Sequence, residues 1–540
     1  MHSFMKAARL VLTPLAPLHV GLGEDLEPTN YVIHEGVLHA FDLARVRLSP
    51  ELREELLRKA ETANLGSIHS FIYKNKEPFL SAAHIHIPVA AGVAEKYRES
   101  LGAPVQLERD GGAVFNRNFI ERTMCLAVDG RPYLPGSSVK GALRTAWLEA
   151  LHLEYLRKRP AGSRGREVSD WEVQMLRGNF HTSPLRLLKI ADFMPQCPEI
   201  DRKIVFACNY KKHEAVTQNY RTTRKEAILS GQYRAFASEA VLLDVGDRTD
   251  KRGNRQTPSL RPRLADIARH CNDYYRKRLD KETSLLRRRG YADKSWLDRL
   301  EDLLRALADR LDQGGAFLVR MGRYGDAETK TIAGLAQIRI LAGKDSAGKG
   351  MSSFQKETTK FWLAAERSGA VSGLMPFGWA LVETDPQEEC APLRKWCEEE
   401  RRGRPDMRLV REKTAAERSR VLAAQAEAKR LEAENQARMR AEREAREREQ
   451  AALSPEQRRV RDFCRKLKER LPLREGRDNG DAILAECDGL LESALTWPVE
   501  EQRRCAALLA PLMKEKNMCI GKRAKKFQDA LRSLSGQEHG

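Results

Sequence analysis

After Gly403 and Pro405 the chain runs to residue 450 with neither glycine nor proline, and Arg, Glu and Ala dominate the run. A stretch with no turn residue and few large apolar side chains cannot fold as sheet, and it lacks the a/d seam of a strong coiled coil. It predicts one long, solvated helix. That helix divides the 540 residues into a body before it and a smaller unit after it. Glu434 with Arg438, Glu442 with Arg446, and Glu444 with Arg448 stand four apart in the favourable order, each pair worth about 0.2–0.5 kcal/mol. "SPEQ", Ser454 to Gln457, reads as a capping box with proline at the first helical position. It opens a compact helical unit with apolar positions at Val460, Phe463, Leu467, Leu490, Leu491, Leu508, Leu509, Phe527 and Leu531. The basic "GKRAKKFQ" near its end reads either as a nucleic-acid contact or as an ordinary solvated face.

The body is patterned differently. "ARLVLTPLAPLHVG" is a proline-punctuated strand, and "YVIHEGVLHAFDL" is two short apolar runs around Glu35-Gly36, a hairpin. "LSPELREELLRKA" follows as a helix, with Ser49 placed to cap it and Pro50 at its first position. Strand-like pieces recur at "PLRLLKIADF", "ASEAVLLDV", "AFLVRMGRYGD" and "MPFGWALVE". Between them, residues 245–313 open on a basic, breaker-rich stretch. Two helices then follow, the second with leucines at 297, 300, 303, 304, 307 and 311. Strands and helices mixed without regular alternation predict an α+β fold, in one sheet-containing body reaching about residue 395.

Lysine and arginine exceed aspartate and glutamate, 95 − 76 = +19. A surplus of that size points to a polyanionic partner, through counterion release at phosphates. The 10 cysteines include no C-x-x-C pair, so a zinc site is not expected; they read as reduced thiols of a cytoplasmic protein. Residues 1–18 are too proline-rich and too short in apolar length for a secretory signal. No apolar run approaches the ~20 residues that cross a bilayer.

Three glycine-bearing turns carry the functional signal. In "YLPGSSVKGALRTAW", Gly136 and Gly141 have the outer spacing of a P-loop, but Ala142 and Leu143 stand where its lysine and hydroxyl belong. A nucleotide-hydrolysing loop is thereby excluded. What remains is a helix start that can hold phosphate without metal, with Ser137 or Ser138 as cap and Lys140 and Arg144 four apart beside it. The plainer reading is a turn whose serines only cap the helix. "LHVGLGED" sets Gly21 and Gly23 after a strand beside His19, and "VRMGRYGD" sets Arg320, Gly322, Arg323 and Tyr324 in a comparable place. There Tyr324 could stack on a base and the arginines could meet phosphates.

"PGSSVKGALR" resembles the signature of RAMP proteins, the subunits of CRISPR effector complexes. "APLHVGLGEDLEPTNYVIHEGVLHAFDL", "FLVRMGRYGD" and "MPFGWALVE" resemble segments of the type III-A (Csm) subunit that caps the guide's 3′ side. The likeness covers about residues 5–385. It implies a ferredoxin-like (RRM-like) RAMP body: residues 1–244 with the first glycine turns, 245–313 as a helical insertion, and 314–395 as a second RAMP region. A charged helical linker at 396–453 and a small all-α C-terminal domain at 454–540 would follow. It further implies a non-catalytic subunit, without cofactor or metal, that binds crRNA and supports its maturation in antiviral defence. Gly136, Ser137, Ser138, Lys140, Gly141 and Arg144 would line the RNA path, with His19, Gly21 and Gly23 beside it and Arg320, Gly322, Arg323 and Tyr324 on the other flank. Implied partners are target RNA in the assembled complex, a backbone RAMP subunit, other Csm-type subunits and separate host trimming nucleases. The loop "EDLEPTN" offers no match to the catalytic aspartate of target-cleaving backbone RAMPs, and the extension beyond about residue 400 lies outside the likeness.

Two rival readings follow from other residues. His34, His39, His84 and His86 could supply a metal-independent endoribonuclease with its acid and base. The long helix and helical tail could instead make the chain a scaffold that recruits a protein partner.

Overall fold

The computed structural model describes residues 4–61, 65–101, 106–107, 113–114, 118–158, 168–213, 222–253, 255–344, 350–474, 481–518 and 523–536. The chain forms two units, residues 1–419 and 420–540. The class is mixed α and β, as expected.

The strands of the first unit are β1 (Met5–Pro14), β2 (Gly21–Leu26), β3 (Tyr31–His34), β4 (Val37–Ala40), β5 (Ile85–Pro88), β6 (Ile120–Thr123), β7 (Leu188–Ile190) and β8 (Met194–Pro195). They continue as β9 (Arg202–Lys211), β10 (Thr222–Ile228), β11 (Phe236–Leu243), β12 (Ala316–Arg320), β13 (Lys360–Ala365), β14 (Met375–Pro376) and β15 (Trp379–Thr384). One antiparallel sheet runs β8-β11-β1-β15-β12, with β7 also on β11. A second runs β14-β13-β9-β10-β6-β2, where only the β10–β6 pairing is parallel. A third, β3-β4-β5, begins with the expected hairpin: Glu35 and Gly36 both have positive φ, 48° and 75°, as a two-residue type I′ turn requires. Two short ribbons, Gln106–Leu107 with Ala113–Val114 and Ile338–Lys344 with Gly350–Gln355, lie outside these sheets.

The two large sheets are stitched by the segment after β1. Leu15 and Ala16 donate to the Trp379 carbonyl at 2.9 and 3.1 Å, Gly378 donates to Pro17 at 2.9 Å, and Leu18 exchanges two 2.8 Å bonds with Ile228. The prolines of "TPLAPLHVG" therefore mark the place where one strand leaves the first sheet and its continuation enters the second.

The segment expected as an insertion belongs to the main core. Helix α1 is Pro50–Glu61 and α2 is Leu65–Lys74; α3 (Lys76–Ala82), α4 (Ala91–Glu99), α5 (Gly136–Lys158) and α6 (Val168–Leu176) follow. Next come α7 (Leu264–Arg289), α8 (Lys294–Ala306) and α9 (Ala308–Asp312). Helix α7 packs on α5 and β12, and all six leucines of the expected stripe are buried in the same core as the strands. Asn272 clamps this arrangement. Its amide donates to the carbonyls of Leu311 and Ala316 at 2.8 and 2.9 Å and accepts from Leu318 N–H at 2.9 Å. Deeper along α7, Glu282 accepts from Arg320 at 2.8 Å and from Trp379 Nε1 at 2.6 Å, joining α7, β12 and β15. Apolar stripes alone do not say which core they enter; these polar ties, made with strands downstream, do.

Helix α10 (Ala391–Arg401) and the start of α11 (Met407–Ala452) close the first unit, where Arg411 meets Glu199 at 2.7 Å. The rest of α11 lies in the second unit and, like all of that helix, buries no residue. Of the expected ion pairs only Glu444–Arg448 forms, at 3.9 Å. Glu434 turns to Arg430 at 3.3 Å and Glu442 to Arg438 at 3.7 Å. Each carboxylate has an arginine four residues away on both sides, and an exposed pair is worth too little for the preferred order to decide. Helices α12 (Pro455–Lys468), α13 (Ala482–Ala494), α14 (Val499–Glu515) and α15 (Arg523–Ser535) share their own core. The Ser454–Gln457 capping box forms in both directions, at 3.2 and 3.3 Å. Leu508 departs from expectation: it is 56% exposed, because the adjacent Leu509 takes the inward position of α14. In the basic cluster, Gly521 and Lys522 lie outside the described residues, and Lys526 is paired with Asp488 and Glu492 at 3.2 and 2.9 Å. Among the described residues no helix is long and apolar enough to cross a membrane, and the nine cysteines present are free.

If α7 is integral to the body, Asn272→Leu takes from the Ala316 carbonyl and the Leu318 N–H the partner that Asn272 supplied, while the Leu311 carbonyl keeps Gly314 N–H at 3.1 Å. The change destabilises the first unit by at least the ~1–3 kcal/mol of one buried orphan. Chemical denaturation followed by tryptophan fluorescence measures this, and an unchanged midpoint would mean that α7 docks without the clamp.

Candidate nucleic-acid interface

The first and third glycine turns meet. The His19 carbonyl accepts from Arg323 N–H at 3.1 Å, and Gly322 lies so close that a β-carbon on it would sit 2.3 Å from that same oxygen. Gly322 also has φ of +86°, the left-handed region that favours glycine. The glycine of the third turn therefore lets backbone rest on backbone. By contrast Gly23 (φ +90°) is exposed with no atom within 4 Å of its virtual β-carbon, and exposed Gly21 meets only the His19 ring, at 3.7 Å. These two are open to a ligand.

Beneath the joined turns lies a charged network carried by β6 and β10. Glu226, fully buried, accepts from Arg202 at 2.7 Å and from Thr123 N–H at 3.3 Å. Buried Lys225 pairs with Glu121 and lies 5.3 Å from the Tyr324 ring centre. Glu121 also takes Arg323 at 2.7 Å and faces His19 Nε2 at 3.8 Å. Burial pushes the Glu121 carboxyl up, but Lys225 and Arg323 outweigh it and hold the group below the usual carboxylate range. His19 itself is buried, its Nδ1 2.8 Å from the Glu226 carbonyl, and burial lowers its pKa.

This geometry divides the expected RNA residues. Arg320 is buried, bonded to the Phe377 carbonyl at 3.0 Å and to Glu282, so it offers nothing to a phosphate. Tyr324 is buried among His19, Trp362 and Phe377 at ring distances of 5.7, 5.2 and 5.3 Å, and has no face free for a base. His19 and Gly322 serve the junction between turns. Arg323, whose side chain is 63% exposed, remains at the rim.

The second turn stands apart from that junction, tied to it through a main-chain ladder from Val20 to Met124 to Tyr133. Its helix, α5, begins at Gly136 itself, so Ser137 and Ser138 lie within the first turn and not ahead of it. The Gly136 N–H already bonds Asp192 Oδ1 at 2.8 Å, which puts a carboxylate where the sequence placed a phosphate. A β-carbon on Gly136 would lie 2.3 Å from the Ala191 carbonyl, so this glycine too serves packing. Lys140, half-buried, donates to the Leu188 carbonyl at 2.7 Å; burial, then Lys189, lowers its pKa. Arg144, also half-buried, is committed to Glu172 of α6 at 2.5 Å. Ser137 and Gly141 are exposed, with nothing within 4 Å of a β-carbon on Gly141.

Sequence reading missed Glu121, Lys225, Glu226 and Asp192. Lys225-Glu226 was the most visible of them: a charged pair inside the strand "TTRKEAIL", followed directly by apolar residues.

The histidines of the rival reading form a structural pair. His39 and His86 face each other across β4 and β5 with their Nδ1 atoms 3.0 Å apart, and burial brings both pKa values down to about 4. His34 faces Glu35 at 3.8 Å, and His84 is exposed. Among the described residues no three metal-binding side chains converge.

A family model described as the RAMP superfamily matches residues 11–317. No curated protein matches significantly. Among solved structures, a chain of a Csm–crRNA–target RNA ternary complex from a type III-A CRISPR-Cas system is 17% identical with a TM-score of 0.32. That overlap covers 70% of this chain and 100% of that one. Csm5 of T. onnurineus is 14% identical with a TM-score of 0.35, over 69% and 99%.

His39 and His86 bind protons more weakly folded (about 4) than unfolded (6.5), so their contribution to stability is complete above the unfolded value and is lost as pH falls through it toward 4. The melting temperature should therefore drop as pH falls from about 7 toward about 4, and less steeply in a His39→Leu/His86→Leu variant. Equal slopes would show the pair to be already charged in the fold.

Proposed function

Because the chain belongs to the RAMP superfamily, we propose that it is a non-catalytic crRNA-binding subunit of a type III-A (Csm) CRISPR effector complex. It caps the backbone filament at the crRNA 3′ side, in the cytoplasm, and supports crRNA maturation. Its partners in this reading are target RNA, a backbone RAMP subunit, other Csm-type subunits and separate trimming nucleases. The body would carry the ferredoxin-like organisation of that family.

The observation that carries the reading is the junction of the first and third motif turns, which leaves Gly21, Gly23 and Arg323 exposed on one rim. Open glycine backbone admits a sugar or phosphate closely, and a rim cation meets its charge. On the second turn exposed Ser137 and Gly141 complete the contact set, with half-buried Lys140 at its edge, where RNA would compete with the Leu188 carbonyl for its ammonium. Ser138 and Arg144 stand behind them, half-buried. The formal charge of +19 supplies long-range attraction for the strand. Against cleavage stands the burial of the His39–His86 pair, neutral at physiological pH and turned inward.

Binding of labelled single-stranded RNA, followed across salt concentrations, tests this. Lys140→Ala with Arg323→Ala should lower the slope of log K against log salt by about 1.4, roughly 0.7 per lost phosphate contact. The RNA should run intact on a denaturing gel afterwards. An unchanged slope would remove the proposed rim, and metal-independent cutting abolished by His84→Ala would establish the nuclease reading instead.

A further inference from the structure

Phe180, in the loop between α6 and β7, is 82% exposed. A single exposed aromatic is ordinary, but this one is held out by a loop built to stay in place. The Asn179 side-chain oxygen accepts from the N–H groups of His181 and Thr182 at 2.9 and 3.1 Å and from the Thr182 hydroxyl at 3.1 Å. Asn179 N–H donates to that same hydroxyl at 3.1 Å. Gly178 lies so close beneath that a β-carbon would sit 2.3 Å from the Thr182 carbonyl. Ser259 bonds the Arg177 carbonyl at 3.2 Å, and Arg186 bonds the His181 carbonyl at 3.3 Å. These ties fix the backbone that carries Phe180.

The surroundings of the ring are cationic. The Arg186 guanidinium lies 5.9 Å from the ring centre, and the His181 ring stands edge-on at 5.5 Å and 85°. Arg177, three residues before the ring, Arg186 and, further along the chain, Lys189 are exposed. Lys189 follows Leu188, whose carbonyl holds Lys140 of the second glycine turn, and Arg144 of that helix is tied to α6 through Glu172. The two elements that bracket the loop, α6 and β7, are thus both tied to the turn whose motif reads as RNA-binding. An exposed, fixed aromatic face among cations fits a flat base whose backbone is anionic.

We propose that Phe180 is a base-stacking platform for single-stranded RNA leaving or entering the Gly136–Arg144 turn; this rests on the RNA-binding reading above. Arg186 backs the ring, and Arg177 and Lys189 meet the flanking phosphates. A nucleotide beside the turn is gripped by its base as well as by its backbone.

The test uses the full chain and fluorescein-labelled single-stranded RNA, read by anisotropy. Phe180→Ala should bind at least about 5-fold more weakly, the low end for loss of one stacked base, with an unchanged salt slope. Phe180→Trp should bind as tightly as the wild type. RNA with abasic sites should bind the wild type more weakly and no longer distinguish Phe180→Ala from it. Equal binding of Phe180→Ala and the wild type overturns the platform alone. The same result with impaired association of a neighbouring subunit reassigns Phe180 to a protein contact. A wild type that binds no RNA overturns the functional reading and the platform with it.

Discussion

A carboxylate withdrawn from water is stable in a fold only where cations or N–H groups replace the lost solvation; fully buried Glu226 sets that demand in the body, with partly exposed Glu121 beside it. Arg202 and Thr123 N–H answer Glu226, while Lys225 and Arg323 answer Glu121. These partners come from β6, β9, β10 and the turn after β12, so satisfying two acids fixes how four separate stretches of chain meet. The first and third glycine turns lie on this foundation. Removing Arg202 would strand the buried Glu226 carboxylate, and removing Glu121 would strand the buried Lys225 ammonium, so this part of the arrangement has little freedom to relax.

The same foundation assigns the cations their work. Of the arginines in "VRMGRYGD", Arg320 faces inward to Glu282, and Arg323 faces the rim. Glu121 restrains the guanidinium of Arg323 without burying it, so a cation is presented at a set place beside open glycine backbone. Glycine acts in two ways here. Gly136 and Gly322 let chain pack on chain, whereas Gly21, Gly23 and Gly141 leave space that something else can enter. Open glycine backbone and a restrained rim cation are the features on which the proposed RNA contact rests.

How much of this could be read in advance depended on range. The Glu35-Gly36 hairpin and the Ser454–Gln457 box involve residues within a few positions of one another, and both were legible. The leucines from 297 to 311 were legible as a buried stripe, but not as part of the main core, because the strands they pack against lie elsewhere in the chain. Asp192, which occupies the start of α5, is 56 residues from Gly136, and nothing local announces it. Arg320 and Tyr324 had the residue types of an RNA contact; their burial follows from Glu282, Trp379, Trp362 and Phe377, which no nearby pattern connects to them. Motif spacing found the turns, and only the packed structure separated their exposed residues from those buried in packing and ion pairs.

The most direct measurement is photo-crosslinking of 4-thiouridine RNA to the intact chain, with the attached peptides identified by mass spectrometry. The account predicts crosslinks concentrated on the peptides bearing Gly21–Leu26, Ser137–Gly141 and Arg323. Crosslinks confined to the 420–540 unit, with none on those three segments, would contradict it.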